Sequence, residues 1–330
     1  MLTHSPSAHQ HSPSLGGCAL PLARGRSRIS DALGESVRER LSVQDKTAER
    51  LERDLARVAQ VLGERVAAML KGEPEGDTPV ELSFAGLNDA DRIQAAIDAT
   101  DFLALAELAD DAGVDAAALQ WFGSYNALAE SVEASLGVIG VEQSNLIFDS
   151  EGARLSLNAR INRDDNALFD HSISNRWGVA ALDVIAGGGL SADDIGARVT
   201  LSAEESLPGI GTEARTRIAE ADRAIMDMAI EEADPSGDLI LYAYAGPNDA
   251  KTRPFCGTLI NKAFTREQIS GLSNGQTASP PSVSGGGFNC RHLWVPTTAD
   301  LIADDDVPYS RGTQADITAA NVRSRKKGKK

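Results

Sequence analysis

The chain is poor in the residues that lock small secreted folds or fill large aromatic cores. It holds three cysteines in 330 residues: Cys18, Cys256 and Cys290. Three are too few for a disulfide framework in a chain this long, and the odd number leaves a free thiol, which suits a reducing compartment. Aromatic residues make up 5% of the chain against 42% hydrophobic residues of all kinds. That balance favours helices packed through small side chains over a large β-sandwich. Nowhere do about 18 apolar residues run together, so no membrane span or membrane partner is expected. The opening MLTHSPSAHQHSPSLGGCALPLARGRSR lacks a basic start followed by a clean apolar core, which makes it a poor secretory signal. Residues 1–28 read as a disordered arm, with His4, His9 and His11 in a solvated Ser/Pro-rich linker. There is no His-Glu-x-x-His, no P-loop, no Gly-x-Gly-x-x-Gly after a strand, and no repeat at a fixed period.

Negative charge is plentiful. The formal net charge is -16. The closing RSRKKGKK carries six positive charges: Arg323, Arg325, Lys326, Lys327, Lys329 and Lys330. Taking these six from -16 leaves the body at -22. An acidic body repels nucleic acid and acidic membranes, so only the tail is a candidate for sequence-independent phosphate contact.

Residues 29–72 follow a helical pattern. Leu51, Leu55, Val58, Leu62, Val66 and Met69 recur every three or four residues, and pairs such as Glu49 with Arg53 support the opposite face. This stripe must bury itself in its own domain or on a partner. KGEPEGDTP then breaks the helix. Residues 73–150 read as a helical region with helices near Asp89–Thr100, Phe102–Asp111 and Asp115–Leu136, capped at Asn88 and Asp115 for the first and third. Trp121, Phe122 and Tyr125 in the third read as core.

Residues 151–235 are expected to continue as helices. SNLIFDSEGARLSLNARINRD fits a short hairpin or a loop leading into a helix equally well. A Gly-rich turn before Ser191 opens a helix that Ser191 and Asp194 cap. Such a turn can cradle phosphate. Here no Lys follows, and Asp193 and Asp194 repel an anion, so its role is structural. A second Gly-rich turn, GIG, precedes a long helix with Ile218, Ala221, Ile225, Met228 and Ala229 on one face. Residues 236–300 read as a small α+β module. DLILYAYAGP is a strand buried on both faces, a short helix lies near Thr265–Leu272, and HLWVP is a short strand. Residues 301–330 read as an extended tail. The fold class is therefore mostly α with a small α+β C-terminal module, an N-terminal helical region and disordered termini.

Gly271–Gly275 matches the Gly-x-Ser-x-Gly of hydrolase elbows, but no buried strand precedes it, so it is not catalytic. Cys256, Cys290 and His292 remain. If the two apolar strands pair, all three converge. Thiolate and imidazole suit tetrahedral zinc, with Asp249 or water as a fourth ligand. The alternatives are two buried free thiols or a Cys–His nucleophilic pair. The pair is disfavoured because residues two apart on a strand project in parallel and no orienting third group is evident.

The stretch from YAYAGPNDAKTRPFC to GGGFNCRHLWVP resembles the C-terminal module of phage minor head proteins, the Mu F-like head-morphogenesis family. Its motif positions fall on Asp249, Lys251-Thr252-Arg253-Pro254, Cys256, Asn261-Lys262-Ala263-Phe264 and Asn289-Cys290-Arg291-His292, after a helix ARTRIAEADRAIMD that also looks like the family's. The resemblance spans roughly residues 173–297. Many members have a second cysteine near Arg253, and His-Pro where this chain has Gly287-Phe288. The resemblance implies a structural virion protein without catalysis, made in the host cytoplasm and present in several copies at the portal vertex. Its partners would be the portal protein and the major capsid protein, with packaged DNA touched through the basic tail. Two other classes remain open: a zinc- or thiol-dependent hydrolase or toxin-like effector, and a non-viral adaptor built on the same module.

Overall fold

A computed structural model describes residues 26–71, 110–141, 168–169, 173, 175–186 and 190–325. The N-terminal arm up to residue 25, the Asn88 cap, the helix expected at Asp89–Thr100 and most of the one at Phe102–Asp111 lie outside the described residues. So do most of the hairpin-or-loop segment, the Gly187–Gly189 turn and Lys326, Lys327, Lys329 and Lys330.

Helix α1 (Arg26–Lys71) spans 46 residues, roughly 70 Å at 1.5 Å per residue. Its stripe is buried inside the chain itself: Leu51, Leu55, Val58, Leu62 and Val66 are almost fully covered. Among the described residues, the ion pairs on its outer face are Arg50–Asp54 and Arg57–Asp54, in place of Glu49 with Arg53. Helix α2 (Asp115–Val138) follows a π-type turn at Asp110–Val114. Its cap is Val114, not Asp115, and carries no side-chain bond. Val114 is already in helical geometry, so no extended capping position exists there. Trp121 and Tyr125 are buried in the core, as expected.

Helix α3 (Asn175–Ala186) buries Trp177, whose indole N–H donates to Ser206 Oγ at 2.8 Å. Helix α4 (Ala192–Ala233) is capped by Ser191, whose Oγ accepts from the Asp194 N–H at 3.2 Å. The expected Gly-rich turn at residues 209–211 is absent, because α4 runs unbroken for 42 residues through Pro208. Pro208 lies on the exposed side, as does Glu204, whose carbonyl it leaves without an intrahelical partner. The glycines serve helix contact. A Cβ on Gly211 would lie 1.8 Å from Glu52 Oε1 of α1. Further along, α1 and α4 cross at Gly63 and Gly196. A Cβ on Gly63 would sit 2.5 Å from the Gly196 carbonyl oxygen, and one on Gly196 would sit 2.4 Å from that of Gly63.

The module begins with strand β1 (Ile240–Ala245), buried at every position. Helix α5 (Pro254–Leu259), strand β2 (Lys262–Phe264), helix α6 (Arg266–Ser270) and helix α7 (Pro281–Ser284) follow. Strand β3 (Leu293–Thr298) pairs antiparallel with β1 from Ile240↔Thr298 to Ala245↔Leu293. The segment expected as an extended tail instead folds back as helix α8 (Ala299–Ala303), strand β4 (Ser310–Arg311) and helix α9 (Gln314–Arg325). It does so because β2 has an open edge that β4 pairs with in parallel, and because Ile317 and Ala320 bury themselves in the core. The sheet order is β3-β1-β2-β4. One face carries Tyr242, Tyr244, Phe264 and Trp294 into the helical core. The other packs Leu241, Ala243 and Val295 against Leu33 and Val37 of α1. The fold is thus mostly α with a small mixed sheet near the C-terminus.

Candidate metal centre

Two buried arginines fix the ground on which the site stands. Arg40 of α1 grips Asp222 of α4 through two bonds, 2.9 Å from Nε and 2.6 Å from Nη2, and its Nη1 reaches the Trp294 carbonyl at 3.0 Å. Both side chains of that ion pair are fully buried. Arg223, also fully buried, donates to the carbonyls of Val283 and of His292, the latter at 2.8 Å. These bonds hold the backbone on either side of the segment that carries Cys290.

Cys256, Cys290 and His292 are all buried, and their ligand atoms lie within 4.8 Å of one another. The two sulfurs are 3.9 Å apart, unbonded, and Cys290 Sγ is 3.7 Å from His292 Nδ1. The convergence was expected, but the elements differ. Cys256 sits on α5, which opens with Pro254 at its first position. Cys290 and His292 lie in the loop before β3, which starts at Leu293. A loop frees the two side chains from the parallel projection of a strand and lets both turn inward. The β1–β3 register then stacks Tyr244 on His292, with ring centroids 5.2 Å apart and planes 12° from parallel.

His292 is set up as a ligand. Its Nε2 lies 2.9 Å from the Pro247 carbonyl. A carbonyl only accepts, so Nε2 carries a proton toward Pro247 and Nδ1 is the ring nitrogen that faces Cys290. Such a partner on the far ring nitrogen is the usual orienting device of metal-bound histidines. Cys290 Sγ accepts the Gly286 N–H at 3.1 Å and lies 3.3 Å from the Tyr244 hydroxyl. The Cys256 thiol beside it, then His292 and the Arg223 guanidinium, hold the Cys290 thiol well below its ordinary range. Its own hydrogen bond to Cys290, burial and that neighbour's charge push Cys256 up. Burial, then the two thiols, raise the Tyr244 phenol, which stays protonated as a donor.

The triple glycine closes over the thiols. A Cβ on Gly286 would lie 2.2 Å from Cys256 Sγ, and Gly285 and Gly287 take positive φ of 54° and 93°. Arg253 pins the loop through the Gly286 and Phe288 carbonyls. Asn289 adopts a positive φ of 51°, and its N–H donates to Thr216 Oγ1 at 2.8 Å. Asp249, expected as a fourth ligand, stands outside the cluster. Its carboxylate takes both ends of the Arg291 guanidinium at 2.6 and 2.8 Å, and that bond holds its pKa well below the usual carboxylate range. Arg323 donates to Thr258 Oγ1 at 2.8 Å and fastens α9 to α5. The side chain of Arg325 and the remaining lysines of the tail lie outside the described residues. Gly271–Gly275 directly follows helix α6 rather than a strand.

A cavity of about 570 Å³ borders all three ligands. It runs from exposed Lys251 and Asn289 to buried Cys256, Cys290 and His292, past Gln44, Asp45, Arg215, Arg253 and Arg291. Arg40, Asp222, Arg223 and Tyr244 were missed in the sequence as parts of the site. A signal existed for the first two. Arg40 falls on the apolar phase of α1 with Leu33 and Leu51, and Asp222 on that of α4 with Ile218 and Ile225. A charge in the middle of a buried stripe asks for a buried partner.

Compared with models of known protein families, with curated proteins and with solved structures, the chain matches none.

Proposed function

We propose that this chain is a structural, non-catalytic head protein of a tailed phage whose C-terminal module is stapled by one zinc ion at Cys256, Cys290 and His292. The zinc part rests on one observation: the ligand spacing. Bonds of about 2.3 Å to sulfur and 2.0 Å to nitrogen at tetrahedral angles put two sulfurs roughly 3.8 Å apart, and sulfur and nitrogen roughly 3.5 Å apart. The chain holds the two sulfurs at 3.9 Å and Cys290 Sγ to His292 Nδ1 at 3.7 Å, with all three ligand atoms within 4.8 Å of one another. When bound, zinc supplies a fixed tetrahedral joint and keeps both thiols deprotonated. The residues do the rest. Tyr244 and Gly286 donate to the sulfurs, Pro247 orients the imidazole, and Arg253 keeps the glycine loop closed.

The head-protein part is supported by the resemblance of the module. Its motif positions Cys256 and Asn289–His292 surround one buried centre, with Asp249 and Arg291 paired at its edge. Its partners in this reading are the portal protein and the major capsid protein, in the virion and, during assembly, in the host cytoplasm. The basic end, with Lys326, Lys327, Lys329 and Lys330, touches packaged DNA. Among the described residues no helix is long and apolar enough to cross a membrane. Co-expression with the portal and major capsid proteins tests the reading. The chain is expected to co-purify with the portal ring, and its absence from assembled heads would contradict the proposal.

One observation favours a second reading, a zinc-dependent hydrolase. The protein supplies three ligands, and a cavity borders all of them, which is the arrangement of catalytic rather than closed structural zinc. Turnover of ester or peptide substrates by the zinc-loaded chain, lost in His292→Ala, would favour it over the structural role.

A further inference from the structure

We infer that the cavity above the thiol cluster is a binding site for a small phosphorylated ligand, a role separate from the zinc staple. The first ground is charge. The chain is acidic overall, yet Arg215, Lys251, Arg253 and Arg291 line this cavity, and Arg223 lies buried behind its floor. Three carboxylates and the low-titrating Cys290 thiol at the floor stand against these five cations. Glu52 pairs with Arg215, Asp249 pairs with Arg291, and Asp45 sits exposed at the rim. Arg253 spends its donors on backbone carbonyls, which leave its charge uncancelled. A local surplus of positive charge in a low-dielectric cleft of an acidic protein draws anions to that point.

The second ground is independent of charge. Gln44 lines the same cavity, is 6% exposed, and its Nε2 is buried without a hydrogen-bond partner. Its place on the apolar phase of α1 would suit a leucine. An unmet buried donor lowers stability, and a turn of the Gln44 side chain toward the cavity it lines would bring this amide within reach of a ligand there. Arg223 Nη2, behind the floor, is a second buried donor without a partner. An amide N–H and guanidinium and ammonium groups are the donors that phosphate oxygens take. At about 570 Å³ the space exceeds a lone phosphate and lies in the range of small-ligand pockets.

The test is calorimetric titration of the full chain, zinc-free and zinc-loaded, with inorganic pyrophosphate in one arm and adenosine monophosphate in the other. Saturable binding is expected in at least one arm. Tighter pyrophosphate binding identifies a free anion as the ligand, and tighter nucleotide binding a phosphomonoester whose organic part fills the remaining space. Lys251→Glu, at an exposed position, is expected to weaken binding by about tenfold or more with no change in melting temperature. Gln44→Leu is expected to weaken it by about tenfold while raising the melting temperature, a pairing that a purely structural glutamine does not produce. No binding in either arm, or affinity unchanged in either variant, overturns the proposal. Because zinc-free chain is included, loss of the zinc reading leaves this result standing.

Discussion

Along α1 and α4 the chain buries leucine, isoleucine, valine and alanine against one another. Within the module and at its junction with those helices it buries two arginines, three aspartates, a histidine and two thiols. The helical pair is held by many interchangeable contacts, each of modest size. The module is held by few contacts, each directional, and several depend on a single atom. A methylene can be lost from the first and the neighbours partly close in. A donor lost from the second leaves a buried charge or dipole with nothing to meet it.

Breaking the comparison at its strongest point means Asp222→Ala. This leaves Arg40 buried and unpaired and is expected to cost about 3–5 kcal/mol in urea unfolding. Arg40→Met combined with Asp222→Leu should recover most of that loss, since an apolar pair of similar volume fills the space without an unmet charge. In the helical pair, Leu55→Ala is expected to cost about 2–5 kcal/mol through the cavity it opens. Leu55→Met, which conserves volume, should cost less than about 1.5 kcal/mol. If Asp222→Ala proves as mild as Leu55→Met, the contrast between the two regions fails. Gly286→Ala brings a Cβ 2.2 Å from Cys256 Sγ and is expected to cost about 1–3 kcal/mol.

The smallest expected effect is acid sensitivity confined to the module. Burial opposes ionisation of Asp234, but the N–H groups of Ile240, Leu239 and Gly237 and the Ser236 hydroxyl together hold its carboxyl below the usual value. Lys262 does the same for Asp316. Both carboxyls titrate lower in the folded chain. Their contribution is therefore complete above roughly pH 4, the unfolded value, and is lost as pH falls through their folded values. Asp234→Asn should flatten the fall in melting temperature below about pH 4. An unchanged slope would show that this turn carries none of it.

What could be read in the sequence follows the same division. The stripe of α1, the helical face at Ile218 and Ile225, the doubly buried β1 and the Ser191 cap were legible because periodicity and capping are local. Residues separated by three, four or two positions report their own geometry. The convergence of Cys256 with Cys290 and His292 was legible as a conditional, given pairing of the two apolar strands. The close crossing at Gly63 and Gly196 was not, because each glycine answers to a residue 133 positions away. Gly209 and Gly211 read as a turn because glycine beside proline breaks most helices. Here packing on α1 outweighs that preference. Residues 301–325 read as tail for a similar reason: short polar segments gain order only from the open edge of β2 and the groove beside α5, neither visible locally.

The central claim is that Cys256, Cys290 and His292 together act as a metal staple for the module. Elemental analysis of the full chain, followed by melting with and without a strong chelator, tests it most directly. The account predicts about one zinc per chain, absent in the Cys256→Ser, Cys290→Ser double variant, and a lower melting temperature once the metal is removed. A chain that carries no zinc when offered it, and melts at the same temperature with chelator present, would contradict the claim.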